Sequence, residues 1–342
     1  MKLKVFQKGF NYSQDGRGNR LVWHLQGCNM HCPWCANPEG MLPEGVLMTD
    51  PEQLAVSCCP RGAVKLASDV CDAKESRQVS DEGSFATVGH DGPDGEKVVA
   101  RLDVDGVSRD VRNIGKECLI LDRAVCAACT DRPCVTAMRQ KGLHWSCNEI
   151  DTEEMIEECV RCAPMFFDGG GVTLTGGEMS LQFDAVRELL EGLGREGIGR
   201  CVETNGSHPR ASELFPLTEE WIMDLKHTDS AKHRVWLGIS NEQIKATLEA
   251  AAKSHPDVLI RIPLMPGFND QEEDAQAFAT YLAPIAARDN VRVEVLTFHE
   301  FGKNKWGQCG MVYRMKPGRI TAQQRAYLET QLSGRGLYVV RT

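Results

Sequence analysis

The sequence lacks an excess of positive charge, a long apolar run and an apolar leader. Its formal net charge is −9 at pH 7, from 39 Lys and Arg against 48 Asp and Glu. Binding to a phosphate backbone needs clustered cations, so we expect no nucleic-acid partner. No run approaches membrane-spanning length, and the first residues, MKLKVFQKGFNYSQDG, contain no signal-like apolar segment. We therefore expect a cytoplasmic protein that does not bind a membrane.

The sequence is, in contrast, rich in cysteine, with 15 among 342 residues. Secreted disulfide scaffolds are usually much shorter and carry a signal peptide, so disulfides are not the expected use of these thiols. In a reducing compartment the same count indicates metal ligation. The length suits one large catalytic domain, alone or with an insert. We expect a globular metalloprotein with more than one cluster.

Three of the cysteines lie in one short loop, GCNMHCPWC, as Cys28, Cys32 and Cys35. They supply three thiolates, one fewer than the four that complete the ligation of a cubane iron–sulfur cluster. The remaining iron would be an open coordination site, where a small molecule can bind and react. The alternative is a structural zinc knuckle, for which His31 inside the loop could supply the fourth ligand. The rest of the chain favours the cluster.

Short apolar runs alternate with amphipathic stretches over most of the chain. The nearly unbroken apolar character of the runs predicts parallel strands that are buried on both faces. The predicted strands are 20–26, 171–176, 200–206, 221–226, 258–265 and 291–298, and the predicted helices are 180–195, 241–254 and 271–288. This alternation predicts right-handed βαβ units, and six such strands suit an α/β fold with an open or partial (β/α) barrel.

Unusual residues fall at the carboxyl ends of these predicted strands, where such barrels carry their chemistry. They are the cysteine loop, Gly176-Gly177-Glu178, Glu203-Thr204-Asn205-Gly206, Asp224-Leu225-Lys226 and His299. Glu178 could accept hydrogen bonds from an ammonium group, although a Gly-Gly turn before a helix is also common.

Other strand-end residues have ordinary structural explanations as well. Glu203 and Asp224 could cap the helices that follow them. Lys226 could pair with a ligand carboxylate or only with Asp224, and His299 could be a core histidine. Their occurrence together, in order, at successive strand ends favours a shared site.

Residues 49–147 interrupt the alternation and are rich in cysteine. Within them, KVVARLDVDGVSRDV alternates around the turn dipeptide Asp105-Gly106, which predicts a β-hairpin. We interpret 49–147 as an insertion into a discontinuous barrel domain formed by 1–48 and 148–342.

Several motifs together resemble those of the activating enzymes of glycyl radical enzymes, which belong to the radical S-adenosylmethionine (SAM) superfamily. They are YSQDGRGNRLVWHLQGCNMHCPWCANPE, GGGVTLTGGEMSLQ, ETNG, MDLKHTDSAKHRVWLGISN, RIPLMPGFND and FHEFGKNKW, within residues 10–48 and 150–310. The resemblance implies a partial (β/α)6 barrel that binds SAM and one [4Fe-4S] cluster, with the amino and carboxyl groups of SAM on the open iron. It also implies flavodoxin or ferredoxin as electron donor and a glycyl radical enzyme as protein partner.

The resemblance implies roles for individual residues. Cys28, Cys32 and Cys35 would ligate the cluster. The SAM contacts would be Trp34, the backbone near Ala36, Gly176, Gly177, Glu178, Asp224, Leu225, Lys226 and His299. Of these, Trp34 and Ala36 would flank the adenine, and the two glycines with Glu178 would hold the methionyl amine.

A monovalent cation beside the SAM carboxylate is also implied by the resemblance. Its ligands would be Glu203, Thr204, the Met223 carbonyl and Asp224. Some relatives have Asp at the position of Glu203, whose side chain reaches further. Arg261, in RIPLMPG, matches a basic residue near the site.

The insertion resembles the ferredoxin-like insertion of many such activators, with one of two cluster sites lost. A two-cluster ferredoxin gives each cluster a cysteine triad from one half and a Cys-Pro from the other. Cys59 matches a Cys-Pro that no triad precedes. Cys126, Cys129 and Cys134 match a triad that its own Cys-Pro does not follow. The losses are complementary, so we predict one auxiliary [4Fe-4S] cluster on these four cysteines.

The use of the other cysteines stays open. Cys58 stands alone before Cys59. A second auxiliary site could be rebuilt from Cys71, Cys118 and Cys147, although zinc or unliganded thiols are alternatives. Cys159 and Cys162 lie at helical spacing, which favours plain core thiols.

The predicted function is reductive cleavage of SAM to methionine and a 5′-deoxyadenosyl radical, which takes hydrogen from a glycine Cα of the partner. One alternative is a radical SAM enzyme that acts on a small molecule or another peptide. Another is a ferredoxin-like electron-transfer or zinc-stabilised interaction protein, which explains the cysteines but not the ordered strand-end motifs. SAM binding separates the last class from the first two. We expect a monomer, and the sequence does not identify the glycyl radical enzyme.

Overall fold

The computed structural model describes residues 1–50, 53–67, 88–91, 97–104, 107–114, 117–137 and 142–341. The chain divides into two compact units. The first unit comprises Met1–Gly45, Cys147–Glu300 and Met315–Thr342, and the second unit comprises Val46–Ser146 and Phe301–Arg314. Within the described ranges, no helix is long and apolar enough to cross a membrane.

Strands and helices alternate through most of the first unit, whereas strands dominate the second. The strands, in chain order, are β1 (Lys2–Tyr12), β2 (Asn19–Leu25), β3 (Leu47–Thr49), β4 (Val64–Ala67), β5 (Val88–Asp91), β6 (Lys97–Val104), β7 (Val107–Ile114), β8 (Glu117–Asp122), β9 (Leu143–Trp145), β10 (Asn148–Asp151), β11 (Gly171–Gly176), β12 (Arg200–Thr204), β13 (Glu220–Asp224), β14 (Val258–Leu264), β15 (Val291–Thr297) and β16 (Val339–Val340). The α-helices are α1 (Arg123–Ala127), α2 (Pro133–Ala137), α3 (Thr152–Cys162), α4 (Phe183–Arg195), α5 (Ser230–Leu237), α6 (Glu242–Ser254), α7 (Glu272–Leu282), α8 (Lys303–Gln308) and α9 (Ala322–Gly334).

One mostly parallel sheet organises the first unit, in the order β10-β1-β2-β11-β12-β13-β14-β15-β16. The strands from β2 to β16 all run parallel to one another. At the other side of the sheet, β1 is antiparallel to both β2 and β10. The edge strands of this sheet are β10 and β16, which both lie within the described residues and do not pair with each other. The sheet is therefore open, and it forms a partial barrel. The six predicted strands are confirmed as β2, β11, β12, β13, β14 and β15, which are consecutive in the sheet. Their carboxyl ends therefore meet at one edge.

The predicted helices 180–195 and 241–254 correspond to α4 and α6, but the helix predicted over 271–288 ends early. The α-helical part of that segment stops at Leu282 and continues only as a 3-10 turn over Ala283–Ile285. Pro284 explains the difference, because proline has no N–H to donate to a helical hydrogen bond and its ring crowds the preceding turn.

Helix α5 was not predicted from the sequence, although its end signals are present. The Asp229 carboxylate accepts a hydrogen bond from the Lys232 N–H at 2.8 Å, and Gly238 ends the helix with a φ of 89°. Both are standard helix-end signals. Helix α5 ends beside the cysteine loop, where the His31 N–H donates to the Leu237 carbonyl at 3.0 Å.

The second unit contains a five-stranded antiparallel sheet in the order β4-β8-β7-β6-β5 and a separate β3–β9 ladder. Strands β6 and β7 are antiparallel neighbours with Val104 opposite Val107, which confirms the predicted hairpin. The turn residues Asp105 and Gly106 lie outside the described residues, as does Cys71. The apolar core of this unit includes Leu54, Cys58, Val64, Leu121, Cys134 and Leu143.

Candidate active site at the strand ends

The cysteine loop follows β2 and is fastened by a return segment of the chain. The Gly27 N–H donates to the Gly40 carbonyl at 2.8 Å, and the Cys28 N–H donates to the Met41 carbonyl at 2.9 Å. Within the loop the Cys35 N–H donates to the Cys32 carbonyl at 3.1 Å. These backbone bonds fix the loop at the edge where the parallel strands end.

The three thiols of this loop lie close together, with Cys32 buried and Cys28 and Cys35 half-buried. Burial is the main cause that raises the pKa of Cys28, Cys32 and Cys35 to about 12 each. Each pKa is raised further by a second thiol of the set, and the ammonium group of Lys226 opposes the rise. A bound metal centre would supply the positive charge that holds such thiols as thiolates. The donor chemistry thus fits a cluster with three protein ligands.

Zinc, the alternative for this loop, would use one ion rather than several. Among the described residues, no three His, Cys, Asp or Glu side chains form a group that could hold a metal ion. In a four-iron cluster each cysteine ligates a different iron, so the ligands are spread more widely than around one ion. His31, the candidate fourth zinc ligand, has an exposed side chain.

Gly176 and Gly177 allow the end of β11 to approach the end of β2. A Cβ at Gly176, where φ is +120°, would lie 2.3 Å from the Leu25 nitrogen, and one at Gly177 would lie 2.2 Å from the Gly27 carbonyl oxygen. Backbone contact at these distances excludes any side chain. The close approach lets the Glu178 N–H donate to the Gly27 carbonyl at 2.7 Å, which places Glu178 against the cysteine loop.

The Glu178 carboxylate is buried, with 1% of the residue exposed. One oxygen, Oε1, accepts from the Ser180 N–H at 3.1 Å and from the Thr204 hydroxyl at 2.7 Å, and the Ser180 hydroxyl also donates to it. The other oxygen, Oε2, accepts from the Asn205 N–H at 2.7 Å. Behind the larger effect of burial, the charge of Glu178 adds to the raised pKa of Cys28. Glu178 therefore joins the cysteine loop to the end of β12.

Glu203 does not cap a helix, the ordinary alternative for this residue, but pairs with Arg261. Its Oε1 lies 2.6 Å from Arg261 Nη1, and its Oε2 accepts from the Thr175 hydroxyl at 2.8 Å. Arg261 Nε lies 3.0 Å from Glu294 Oε2. Burial alone would lower the pKa of Arg261, but the carboxylates of Glu203 and Glu294 outweigh it and raise that pKa. The guanidinium group thus neutralises carboxylates inside the barrel.

The side chains proposed for the monovalent cation are therefore engaged with protein partners. Glu203 faces Arg261, the Thr204 hydroxyl donates to Glu178, and Asp224 is paired with the Lys226 ammonium group. Each of the two carboxylates therefore has a cationic partner, although Arg261 also pairs with Glu294.

Lys226 is held at the end of β13, close to the three thiols. Its ammonium group contacts the Asp224 carboxylate, and its backbone carbonyl accepts from Asn269 Nδ2 at 2.9 Å. The neighbouring Leu225 is fully buried, and its N–H donates to the Arg261 carbonyl at 2.8 Å. Lys226 therefore lies between a carboxylate and the cysteine loop, both of which attract a positive charge.

Trp34 and His299 lie in different surroundings. Trp34 is buried, with its ring centroid 4.9 Å from that of Phe268 and 6.2 Å from that of Trp236. His299 lies beyond the end of β15 and is exposed, so the core-histidine alternative is wrong. Sequence reasoning missed Phe268 and Trp236, whose partner Trp34 lies more than 200 positions away in the chain.

Comparison with known proteins identifies the family. A model of the Radical SAM superfamily matches residues 131–279. The (2S)-3-sulfopropanediol sulfolyase activating enzyme of Bilophila wadsworthia is 30% identical over 309 residues, which cover 88% of this chain and 87% of that protein. The benzylsuccinate synthase activating enzyme of Thauera aromatica is 30% identical over 352 residues, which cover 99% of this chain and 92% of that protein. The chain belongs to the glycyl radical enzyme activating enzymes of the radical SAM superfamily.

Membership of this family supports the activating-enzyme hypothesis over the small-molecule and electron-transfer alternatives. It brings SAM and one [4Fe-4S] cluster as cofactors and a glycyl radical enzyme as the protein that the activating enzyme acts on. The matched superfamily region begins inside the second unit and ends within α7 of the first unit. The cysteine loop, Glu178 and Lys226 can therefore be considered as candidate contacts of these two cofactors.

In the second unit of this activating enzyme, four cysteines lie close together. Burial is the main cause that raises the pKa of Cys126 to about 11, and Cys59, Cys134 and Cys129 raise it further. The pKa of Cys134 is raised by burial first, then by Cys59 and Cys129. Three of the four pack in the same apolar core. These are the cysteines predicted to hold the auxiliary cluster.

The remaining described cysteines have other surroundings. Cys58 is fully buried, and its sulfur accepts from the Ala55 N–H at 3.3 Å. Cys159 is also fully buried, and burial raises its pKa to about 12. Cys147 lies in the first unit, with its sulfur 4.0 Å from the Glu44 carbonyl oxygen, and Cys118 lies in β8.

Proposed function

We propose that this activating enzyme binds its SAM-cleaving cluster on Cys28, Cys32 and Cys35 and binds SAM at the adjoining strand ends. The observation that carries the proposal is the set of three buried or half-buried thiols, each close enough to raise the pKa of another, with desolvation as the larger cause. Bound there, the cluster and SAM supply the family's chemistry, which is one-electron cleavage of SAM and removal of hydrogen from a glycine of the partner.

Glu178 receives the amino group of SAM in this proposal. Among the residues that the structure describes, its Oε2 has one donor, the Asn205 N–H at 2.7 Å. A carboxylate oxygen can accept more than one hydrogen bond, so an ammonium group can be added without breaking that contact. The glycine backbone of Gly176 and Gly177 leaves room for the ligand to approach the strand end.

Lys226 holds the SAM carboxylate in this proposal, and it keeps positive charge beside the thiolates. Asp224 orients the ammonium group by direct contact, and Asn269 fixes the Lys226 backbone at 2.9 Å. A cation in this position attracts a carboxylate of the ligand as well as the negative cluster loop. Asp224 and Leu225 complete this edge, and His299, which is exposed beyond the end of β15, contacts the ligand from there.

The adenine of SAM is proposed to lie beside Trp34 and the backbone near Ala36. Trp34 is held by Phe268 at 4.9 Å and by Trp236 at 6.2 Å between ring centroids. Aromatic neighbours at such distances keep a ring in one orientation and offer an apolar surface to a flat base. The three aromatic residues thus support the adenine end of the site.

An auxiliary [4Fe-4S] cluster is proposed on Cys59, Cys126, Cys129 and Cys134, within the 49–147 insertion. The mutual electrostatic effects of these thiols support it, together with their shared apolar core. We further propose flavodoxin or ferredoxin as the electron donor, a monomeric enzyme and a cytoplasmic location. The monovalent-cation site stays a prediction, and the ion pairs of Glu203 with Arg261 and of Asp224 with Lys226 predict that such a cation has little effect on SAM binding.

Iron content and electron paramagnetic resonance (EPR) test these assignments together. The protein is reconstituted anaerobically with iron and sulfide and then reduced, and spectra are recorded with and without SAM. We expect about eight irons per chain and one signal that SAM alters, because two cubane clusters hold about four irons each.

Matched variants separate the two clusters in this experiment. Cys28→Ala should abolish the SAM-sensitive signal, whereas Cys59→Ala should lower the iron content to about four and keep that signal. Cys58→Ala changes the preceding thiol and should keep both clusters. A SAM-sensitive signal in Cys28→Ala would refute the proposed catalytic site, and equal iron content in Cys59→Ala and Cys58→Ala would refute the auxiliary one.

A further inference from the structure

The side chains of Asn29 and Asn205 form a hydrogen bond between two loops of the site. Asn29 follows Cys28 in the cysteine loop, and Asn205 follows β12. Asn205 Nδ2 donates to Asn29 Oδ1 at 3.0 Å, and the Asn29 Nδ2 donates to the Ser207 hydroxyl at 2.7 Å. The Ser207 N–H in turn donates to Asn205 Oδ1 at 2.9 Å. The three residues close a ring of hydrogen bonds.

Asn205 also holds Glu178 through its backbone. Its N–H donates to Glu178 Oε2 at 2.7 Å, while its side chain donates to the cysteine loop. Asn205 is buried, with 5% of the residue exposed. One residue therefore contacts both the carboxylate proposed for the SAM amine and the loop proposed for the cluster.

Such a link matters because the amino group of SAM has two neighbours in the proposed site. Bound as proposed, that group would lie against the cluster held by Cys28, Cys32 and Cys35 and would donate to Glu178, so the separation of the cysteine loop and Glu178 must suit a single nitrogen atom. A ligand bound at two points loses affinity when either point moves by a fraction of an ångström. Residues 29 and 205 are 176 positions apart, so their bond is a tertiary constraint on that separation.

We infer that the Asn29–Asn205 hydrogen bond sets the distance between the cysteine loop and Glu178, which makes Asn205 a positioning residue for SAM. The inference rests on the proposed assignment of Glu178 and of Cys28, Cys32 and Cys35. It assigns the Asn205 side chain no direct contact with SAM. Its effect passes through Asn29 to the cluster loop.

A double-mutant cycle tests the bond in the reconstituted, reduced holoenzyme. Asn29→Ala, Asn205→Ala and the double variant are compared by SAM titration of the EPR signal and by the rate of 5′-deoxyadenosine formation. Each single variant should weaken SAM affinity by roughly tenfold while it keeps the iron content, because the Asn29–Asn205 hydrogen bond is lost together with one bond to Ser207. The double variant should be no weaker than the singles, since all three lack the same bond. Additive losses of roughly a hundredfold would overturn the inference.

A conservative substitution provides the rescue. In Asn205→Asp the Asn29 amide can turn its NH2 group toward the new carboxylate, so a hydrogen-bonded pair is kept. SAM affinity should then stay within about threefold of the unaltered enzyme. An Asn205→Asp variant as weak as Asn205→Ala would overturn the inference.

Two further variants are informative. One distinguishes a positioning role of Asn205 from a purely structural one, and the other tests the site assignment itself. Asn290→Ala removes amide donors to the Ala252 and His255 carbonyls, at 3.1 and 2.7 Å, and should lower the unfolding midpoint without a change in SAM affinity. If Asn205→Ala behaved in that way, its role would be structural and the inference wrong. Unchanged SAM affinity in Glu178→Gln would instead refute the site assignment on which the inference rests.

Discussion

Gly177 is the residue at which the proposed site tolerates the least change. An added Cβ would lie 2.2 Å from the Gly27 carbonyl oxygen and 2.7 Å from the Gly40 carbonyl oxygen. Both obstacles are backbone atoms, which cannot rotate away as a flexible side chain can. Any side chain at this position must therefore push the cysteine loop away from β11.

We predict that Gly177→Ala lowers iron content and removes the effect of SAM on the EPR signal, with a loss of unfolding free energy of about 2–4 kcal/mol. Gly9→Ala is the matched control, since a Cβ at Gly9 meets nothing within 4 Å in β1. Calorimetry and iron analysis on both proteins check the prediction. Equal behaviour of the two variants would show that the strand ends adjust easily.

The sequence predicted where the site residues lie along the chain, but it did not predict which residues they contact. The strand-end positions of Glu178, Glu203 and Lys226 follow from local pattern, because buried parallel strands are continuous apolar runs. Their partners do not follow, because the Glu203–Arg261 pair joins residues 58 positions apart. No periodicity within either strand encodes a contact of that kind.

At the scale of elements, exposure decides which strands the sequence reveals. Strand β14 is buried along its whole length, and its apolar run was predicted. Strand β1, KLKVFQKGFNY, has mostly exposed residues beyond Val5 and gives no continuous run. The early end of α7 was overlooked because apolar spacing continues through Pro284, whereas helical hydrogen bonding does not.

His255 connects elements at the opposite end of β13 and makes stability depend on pH. Its ring is satisfied in the neutral form, since Nδ1 accepts from the Asp257 N–H at 3.1 Å and Nε2 lies 3.1 Å from the Thr218 carbonyl oxygen. Burial lowers the pKa of His255 below its ordinary value of 6.5. The unfolded chain therefore takes up the proton at a higher pH than the folded chain does.

The sign of the pH effect follows from that difference. Between the ordinary pKa of 6.5 and the lowered pKa of folded His255, the unfolded state binds more protons, so stability falls as the pH drops through this window. We predict that the free-energy difference between the unaltered enzyme and His255→Gln shrinks by about 1 kcal/mol from pH 7.5 to pH 5.5. Denaturant unfolding of both proteins at the two pH values measures it. A constant difference would mean that the pKa of His255 is the same in both states.

At the scale of the whole molecule, the two units give the enzyme two cores. The second unit has an apolar core built from its own residues, which include Leu121 and Cys58. A ligand that binds only the folded state stabilises whatever unfolds cooperatively with its site. The response of each unit to SAM therefore reports whether the two unfold as one.

We predict that SAM protects the first unit more than the second. At a SAM concentration of about 100 Kd, the linked stabilisation is about 2.7 kcal/mol. Amide hydrogen exchange of the reduced holoenzyme should then slow in the peptides around Gly27–Cys35 and Gly176–Glu178, while peptides of β4 and β8 keep their rates. Glu178→Gln at the same SAM concentration is the control and should lose most of the protection. Equal slowing in β4 and β8 would mean that the units unfold together, so that SAM bound in one stabilises the cluster site proposed in the other.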